Sequence, residues 1–217
     1  IDNYEISQTQ GISLRGTLNG RMGYASTEAF DEEAIGQLVE GVLESASLAE
    51  AAEQDEIFAG EESYPELPRE EQKLDCVDAA RRLALCQQME SAALSADPRI
   101  TSTEGASIEV SRGLLRLKNS YGLDLKHEDG VFVAAVSPIA AEAGDTATDY
   151  AIAAGRDLTA LDAAALGRKA AEQVVAKLHG KPVPSGEYRV VLDRRAMQAL
   201  LATFSGIFSA QNAQQKL

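Results

Sequence analysis

The stretch from Arg99 to Asp149 constrains the fold most. ITSTEGASIEVSRG, LLRLKNSYG, LDLKHEDG and VFVAAVSPIAAEAG follow one another, separated by Gly- or Asn-containing turns, and TATDYAIAAG adds a further strand. Consecutive strands at this spacing pair as an antiparallel sheet, because a parallel pair needs a crossover of a dozen or more residues. The segments around this block have other periods. Residues 1–7 alternate through Ile1, Tyr4 and Ile6; residues 10–18 put Ile12, Leu14 and Gly16 on one face; Met22, Tyr24 and Ser26 alternate after Asn19-Gly20. That is a β-meander with hairpin turn chemistry. Asp31 then caps a helix whose stripe Ala34, Ile35, Leu38, Val39, Val42, Leu43 and Ala46 is predicted to run to about Ala52.

A second helix is expected over about 72–95, with Leu74, Val77, Ala80, Leu83, Ala84, Met89, Ala92 and Ala93 on its buried side. Asp97-Pro98 ends it, since a residue before proline is pushed out of the helical region. A third helix spans about 162–179, YRVVLD is a short buried-type strand, and a last helix starts near Arg194. Runs of strands and then runs of helices give an α+β fold, antiparallel sheet strands with packed helices, rather than regular βαβ alternation. Residues 53–71 are acidic, broken by Pro65 and Pro68, and read as a solvated connector. The chain opens on Ile1 in mid-alternation and stops straight after a helical stretch. It reads as part of a longer protein.

Charge narrows the function. Of 217 residues, 20 are Lys or Arg and 34 are Asp or Glu, a net charge of −14. Nucleic-acid binding needs a basic footprint to neutralise phosphates, and an anionic membrane surface likewise attracts polybasic segments. Neither partner is expected. No apolar run nears the ~18 residues of a membrane helix, and the first residues lack the pattern of a signal peptide. Cys76 and Cys86 are placed on one helix, too far apart for a disulfide, and suit a cytoplasmic protein.

No phosphate-binding glycine loop and no G-x-S-x-G elbow occurs, and NGRMG reads as a hairpin turn. The two histidines have plain readings. His127, in DLKHED, is an exposed strand residue sharing a face with Asp129, and His179 sits in the last turn of the third helix, where the helix dipole favours an imidazole. Glu61–Glu62 and Glu70–Glu71 read as solvated, and Asp145 and Asp149 as turn formers. No catalytic, cofactor-binding or metal-binding residue is assigned.

Four blocks, in order, resemble the TldD/PmbA family. RMGYASTEAFDEEAIGQLVEGVLESA is similar to its N-terminal block, and ALSADPRITSTEGASIEVSRGLLRLKNSYG to its middle block, with the D-x-R-I entry and N-S-x-G turn. GDTATDYAIAAGRDL resembles the G-D-x-x-x-D-Y strand, and VPSGEYRVVLDRRAMQALLATFSGIFSAQNAQ the start of the C-terminal domain. The resemblance implies a cytoplasmic peptidase, by older naming a modulator of DNA gyrase, in which two subunit types together process small unfolded peptides. TldD-type members carry a His-Glu-x-x-x-His helix for zinc, which lowers the pKa of its bound water and polarises the scissile carbonyl. Here Ala202 and Ile207 fall where the two histidines would be, and Thr203 at the glutamate. The chain therefore resembles a PmbA-type subunit, and the resemblance implies that residues 1–180 form an N-terminal α+β domain containing the connector 53–71, that residues 187–217 begin a truncated C-terminal domain, and that the chain is the N-terminal region of a larger two-domain protein. The resemblance implies no cofactor in this chain, zinc only on a TldD-type partner, and a homodimer or a heterodimer with that partner; extended peptides are then expected to bind by strand addition to a sheet edge. The alternative is a non-enzymatic homodimeric module that binds peptides or regulates.

Overall fold

The computed structural model describes residues 3–49, 56–65 and 72–215. Two compact units divide the chain, Ile1–His179 and Gly180–Leu217. In the first, β1 (Ile12–Leu18) and β2 (Arg21–Thr27) form a hairpin, and α1 (Glu32–Leu48) packs on both strands. The hairpin turns through Asn19 and Gly20 at φ 52° and 76°, the left-handed pair that matches the twist of the flanking strands. Asp31 caps α1 as expected, its side chain accepting from Ala34 N at 2.8 Å. Ala34, Leu38, Val42 and Ala46 form the buried stripe. Ala49 is extended and ends the helix, and residues 50–52 lie outside the described residues.

The main body carries α2 (Ala79–Ala96), β3 (Ile100–Lys118), β4 (Asp124–Glu142), β5 (Asp145–Thr148), β6 (Ala151–Gly155) and α3 (Ala163–Val175). β4 is its spine. β3 pairs along one side of it, and β5 and β6 pair with successive parts of the other side, all antiparallel. Alternate β4 residues from Phe132 to Ala140 are buried, while those between face the half-exposed side. That period of two places one face of β4 under the helices. Phe132, Ala134 and Val136 meet Leu85, Met89 and Ala93 of α2 and Leu166 and Ala170 of α3 in one cluster. A fully buried side chain such as Met89 contributes about 1.5–3 kcal/mol by leaving water.

Several expected boundaries move. The four strand-like segments after Arg99 fuse into β3 and β4, 19 residues each. Gly113 and Gly130 continue the ladder instead of turning it. The turn lies at Asn119, whose side-chain oxygen accepts from Tyr121 N and Leu123 N, each at 3.0 Å. The expected strand TATDYAIAAG breaks at Asp149-Tyr150 into β5 and β6. α2 starts at Ala79 and not near residue 72, because Asp78 is the cap, accepting from Arg81 N at 2.7 Å. Leu74 and Val77 are buried from a loop that Arg82 ties down through the Val77 and Leu74 carbonyls. Residues 3–11 form no strand, and Tyr4 and Ile6 are exposed. Alternation alone cannot make a strand where no neighbour offers a ladder.

In the second unit, YRVVLD is likewise no strand, and α4 (Arg194–Phe204) and α5 (Ala210–Gln215) follow it. Asp193 caps α4, accepting from Ala196 N at 2.7 Å.

α2 and α3 touch at backbone distance. A Cβ on Gly167 would stand 2.2 Å from the Met89 carbonyl oxygen, whereas Gly36 on the exposed side of α1 has open space. Glycine to alanine inside a helix ordinarily stabilises by up to about 1 kcal/mol. Gly36→Ala should show that gain in chemical denaturation. Gly167→Ala should reverse the sign and cost about 1–3 kcal/mol through overpacking.

The turn from α2 into β3 is pinned by Arg99. Its Nε and Nη2 donate to the two oxygens of Asp97 at 2.9 and 2.8 Å, and its backbone N–H adds a third bond at 2.9 Å. Those bonds hold the Asp97 carboxyl down at about 2. Because the folded value is depressed, the pair's contribution is complete above the ordinary carboxylate range and is lost as pH falls through about 2. A titration of Asp97 followed by NMR should give that low midpoint, and Arg99→Gln should raise it toward the ordinary range.

Candidate functional site

An open hollow of about 690 Å3 lies between β6 and α3. Phe132 and Leu166 supply apolar wall, the Ile152–Gly155 stretch of β6 forms one rim, and Lys169 of α3 stands at another. Among the described residues β6 pairs with β4 only, so its second edge faces the hollow without a ladder; just beyond, Lys73 bridges Asp157. On that edge alternate N–H and C=O groups point outward. Natural edges are usually blunted by charge, proline or bulges. AIAAG has none of the charges or prolines. Arg156 at the end of the rim is paired with Asp129 at 3.0 Å, whereas Lys169 has no ion-pair partner among the described residues. The arrangement can accept an extended backbone, with small side chains offering little steric selection and one ammonium to meet a carboxylate. No sequence signal marked this edge, because TATDYAIAAG shows a strand but not which side of it stays open.

The residues singled out in the sequence do not gather here. His127 is exposed on β4 opposite Leu115, while Asp129 is occupied by Arg156 and Gln72. His179 lies beyond the end of α3, after a turn, with φ +60°. Its Nε2 is 2.7 Å from Glu142 Oε2, and its backbone N–H donates to Asp145 at 2.6 Å. The partners of this histidine are thus two carboxylates of the β4–β5 hairpin, and not the last turn of a helix. Asp145, at the start of β5, and Asp149, in the break between β5 and β6, each accept from the next backbone N–H, Thr146 N and Tyr150 N, and Asp149 is also buried against Lys177 at 3.2 Å. Cys76 is in the exposed loop before α2, so the two thiols do not share a helix; Cys86 is half-buried, and burial pushes its thiol up. Glu61 and Glu62 are exposed, and Glu70 and Glu71 lie outside the described residues.

α4 carries the positions at which the family's zinc ligands are expected. Ala202 and Thr203 sit in its last turn, and Ile207 falls in the 3-10 turn after it. Ala and Ile have no donor atom, and the Thr203 hydroxyl donates back to the Ala199 carbonyl at 2.9 Å. A shallow hollow beside Ala202, about 490 Å3, is walled partly by Met197 and Leu201. This donor set does not fit a zinc ion. Among the described residues no three His, Cys, Asp or Glu side chains are placed to hold a metal.

Comparison with known proteins agrees with this architecture. Residues 1–54 match the PmbA/TldA metallopeptidase domain 1, and residues 72–178 match the PmbA/TldA metallopeptidase central domain. The chain is 26% identical over 223 residues to a metalloprotease PmbA homolog of Haemophilus influenzae, covering all of this chain and 48% of that protein. It is 24% identical over 222 residues to metalloprotease PmbA of Escherichia coli O157:H7, again covering all of this chain and 48% of the relative. The chain thus spans about half the length of the curated relatives it matches. Among solved structures, a Thermotoga maritima protein named for a proposed modulation of a DNA gyrase superposes with a TM-score of 0.87 at 19% identity, covering 100% of this chain and 49% of that one. TldE from Thermococcus kodakarensis gives 0.63 at 21% identity, over 74% of this chain and 36% of that one. With both family domains matched in sequence order and the fold shared, this chain belongs to the TldD/PmbA family of metallopeptidase-like proteins.

Proposed function

We propose that this chain is part of a PmbA-type, metal-free subunit of a cytoplasmic two-subunit peptidase that processes small unfolded peptides. The observation that carries the reading is α4, where Ala202, Thr203 and Ile207 stand in a metallopeptidase family at positions that need two imidazoles and a carboxylate. Zinc chemistry then belongs to a TldD-type partner. What this chain's own residues offer is binding. The open edge of β6 adds to an extended backbone without regard to its side chains, which suits peptides of varied sequence, and Lys169 can meet a carboxylate of the peptide. The name shared with gyrase modulators does not require contact with DNA, since a net charge of −14 repels the phosphate backbone. No helix among the described residues is long and apolar enough to cross a membrane. The second reading, a homodimeric peptide-binding module without catalysis, uses the same edge of β6 and differs only in what completes it.

Two measurements test this. Metal analysis of the full-length protein alone should find no stoichiometric zinc, and peptide cleavage should appear only after a paralogue bearing His-Glu-x-x-x-His is added. Chelator-resistant cleavage by the full-length protein alone would sink the proposal. At the edge, proline is tolerated only where the lost N–H faces away from β4. Of Ala153→Pro and Ala154→Pro, the one that keeps the native circular dichroism should weaken binding of an unstructured fluorescent peptide by about tenfold or more, on the order of 1.4 kcal/mol.

A further inference from the structure

The hollow beside β6 has a direction. Leu166, in the first turn of α3, packs with Phe132, which opposes Gly155 at the end of β6. Lys177, just after α3, reaches Asp149, just before β6, at 3.2 Å. The helix therefore runs back along β6, antiparallel to it. Asp162 lies at the Gly155–Arg156 end of the hollow. Lys169 stands about 10 Å further along the helix at ~1.5 Å per residue, toward Ile152.

The two ends differ in charge. At the Arg156 end stand Asp157 and Asp162, while Arg156 is engaged by Asp129 at 3.0 Å and Lys73 by Asp157 at 3.8 Å. The N-terminus of α3 would draw an anion, but the Asp162 carboxylate already occupies it, accepting from Ala165 N at 2.8 Å. A further carboxylate at that end would meet two others. Lys169 has no ion-pair partner among the described residues, and a carboxylate is favoured there.

The wall between the ends is apolar. Directly opposed residues of a ladder share a face, so Gly155 looks to the same side as Phe132, toward the helices. Gly155 itself has no side chain, and Phe132, Leu161 and Leu166 surround the space beside it. Side chains of a strand added to β6 would face either this wall, where a carboxylate loses its water, or the opposite side of the sheet, away from Lys169. The carboxylate that reaches Lys169 is then the one that ends the chain. Leu166 to Lys169 is about 4.5 Å of helix, which is about one or two residues of strand.

We propose that the hollow takes the carboxyl-terminal end of an unfolded peptide. The peptide runs antiparallel to β6, one apolar side chain lies opposite Gly155 against Phe132, Leu161 and Leu166, and the terminal carboxylate pairs with Lys169. This rests on β6 accepting a peptide strand, and it adds which end of the peptide binds and in which direction. The strand edge is indifferent to side chains; the selection comes from the wall and the ammonium that face it.

The test is fluorescence anisotropy with the full-length protein and a short unstructured peptide, labelled at its amino end and carrying Leu near its carboxyl end. The peptide is used as the free acid, as the amide, and as an amide whose last residue is Glu. The free acid should bind about three- to fivefold tighter than the amide, the range of one exposed ion pair. Lys169→Gln should remove that difference and leave the amide's affinity unchanged, and Lys169→Arg should keep the difference. Equal binding of acid and amide by the unmodified protein overturns the proposal. So does a Lys169→Gln protein that weakens both peptides alike, as a merely structural lysine would, or a Glu-ended amide that binds as tightly as the acid. The β6 proline variant with native circular dichroism separates this from the edge itself. If it weakens acid and amide that already bind equally, the edge takes peptides and only the role of the chain end falls. If it weakens neither, the edge reading falls and this inference with it.

Discussion

The contact between Gly167 and the Met89 carbonyl sets the geometry of the central body. A hydrogen in place of a side chain lets α3 approach α2 to backbone distance, and only then do Met89, Ala93, Leu166 and Ala170 reach the same face of β4. The small residues Ala93, Ala134, Ala151, Ala163 and Ala170 are buried in one cluster with Leu74, Leu85, Met89, Phe132, Leu158 and Leu166. That core gains its stability from closeness, since short side chains leave no slack to fill a gap.

Two helices drawn onto one face of β4 decide what the rest of the sheet can do. β4 is long enough to pair with β3 on one side and to hold both β5 and β6 in sequence on the other. Among the described residues β6 is therefore at an edge, next to α3, with apolar wall from Phe132 and Leu166 beside it. The same length carries β3 and β4 past the helices, so Ser111–Lys118 of β3 are exposed, and at the tip Asn119 donates to the Phe58 carbonyl. The open edge and this exposed stretch are consequences of one long strand pair covered over only part of its length.

Membership of a metallopeptidase family and the chemistry of α4 pull apart in this chain. The helix itself is intact, capped by Asp193 and with Thr203 bonded to its own backbone. Ala202 and Ile207 satisfy what a helix and a following turn need, and supply nothing a metal needs. Fold and chemistry are separable because caps and apolar spacing build the helix, whereas catalysis depends on donor atoms at a few positions.

Local chemistry was legible where it acts over a few residues. Asp31 and Asp162 announce helix starts, Asn19-Gly20 a hairpin and Asp97-Pro98 a stop, and each does so in the structure. The missing donors at Ala202, Thr203 and Ile207 were equally plain, since side-chain chemistry does not depend on packing. What involves a distant partner was not. The alternation of residues 1–7 and the apolar run YRVVLD at 188–193 resemble strands, but among the described residues no neighbour pairs with them. Gly113 and Gly130 resemble turns and yet stay in the ladder, because pairing along 19 residues outweighs the weak preference of a single glycine. The burial of Leu74 and Val77 from a loop, the two carboxylates around His179, the open edge of β6 and the approach at Gly167 all join segments far apart in sequence. By itself the sequence determined which elements form and which chemistry is missing, because caps, periodicity and donor atoms are local. Only the tertiary structure decided which strands pair and, among the described residues, which edge is left without a ladder, because those depend on what each strand and helix finds beside it.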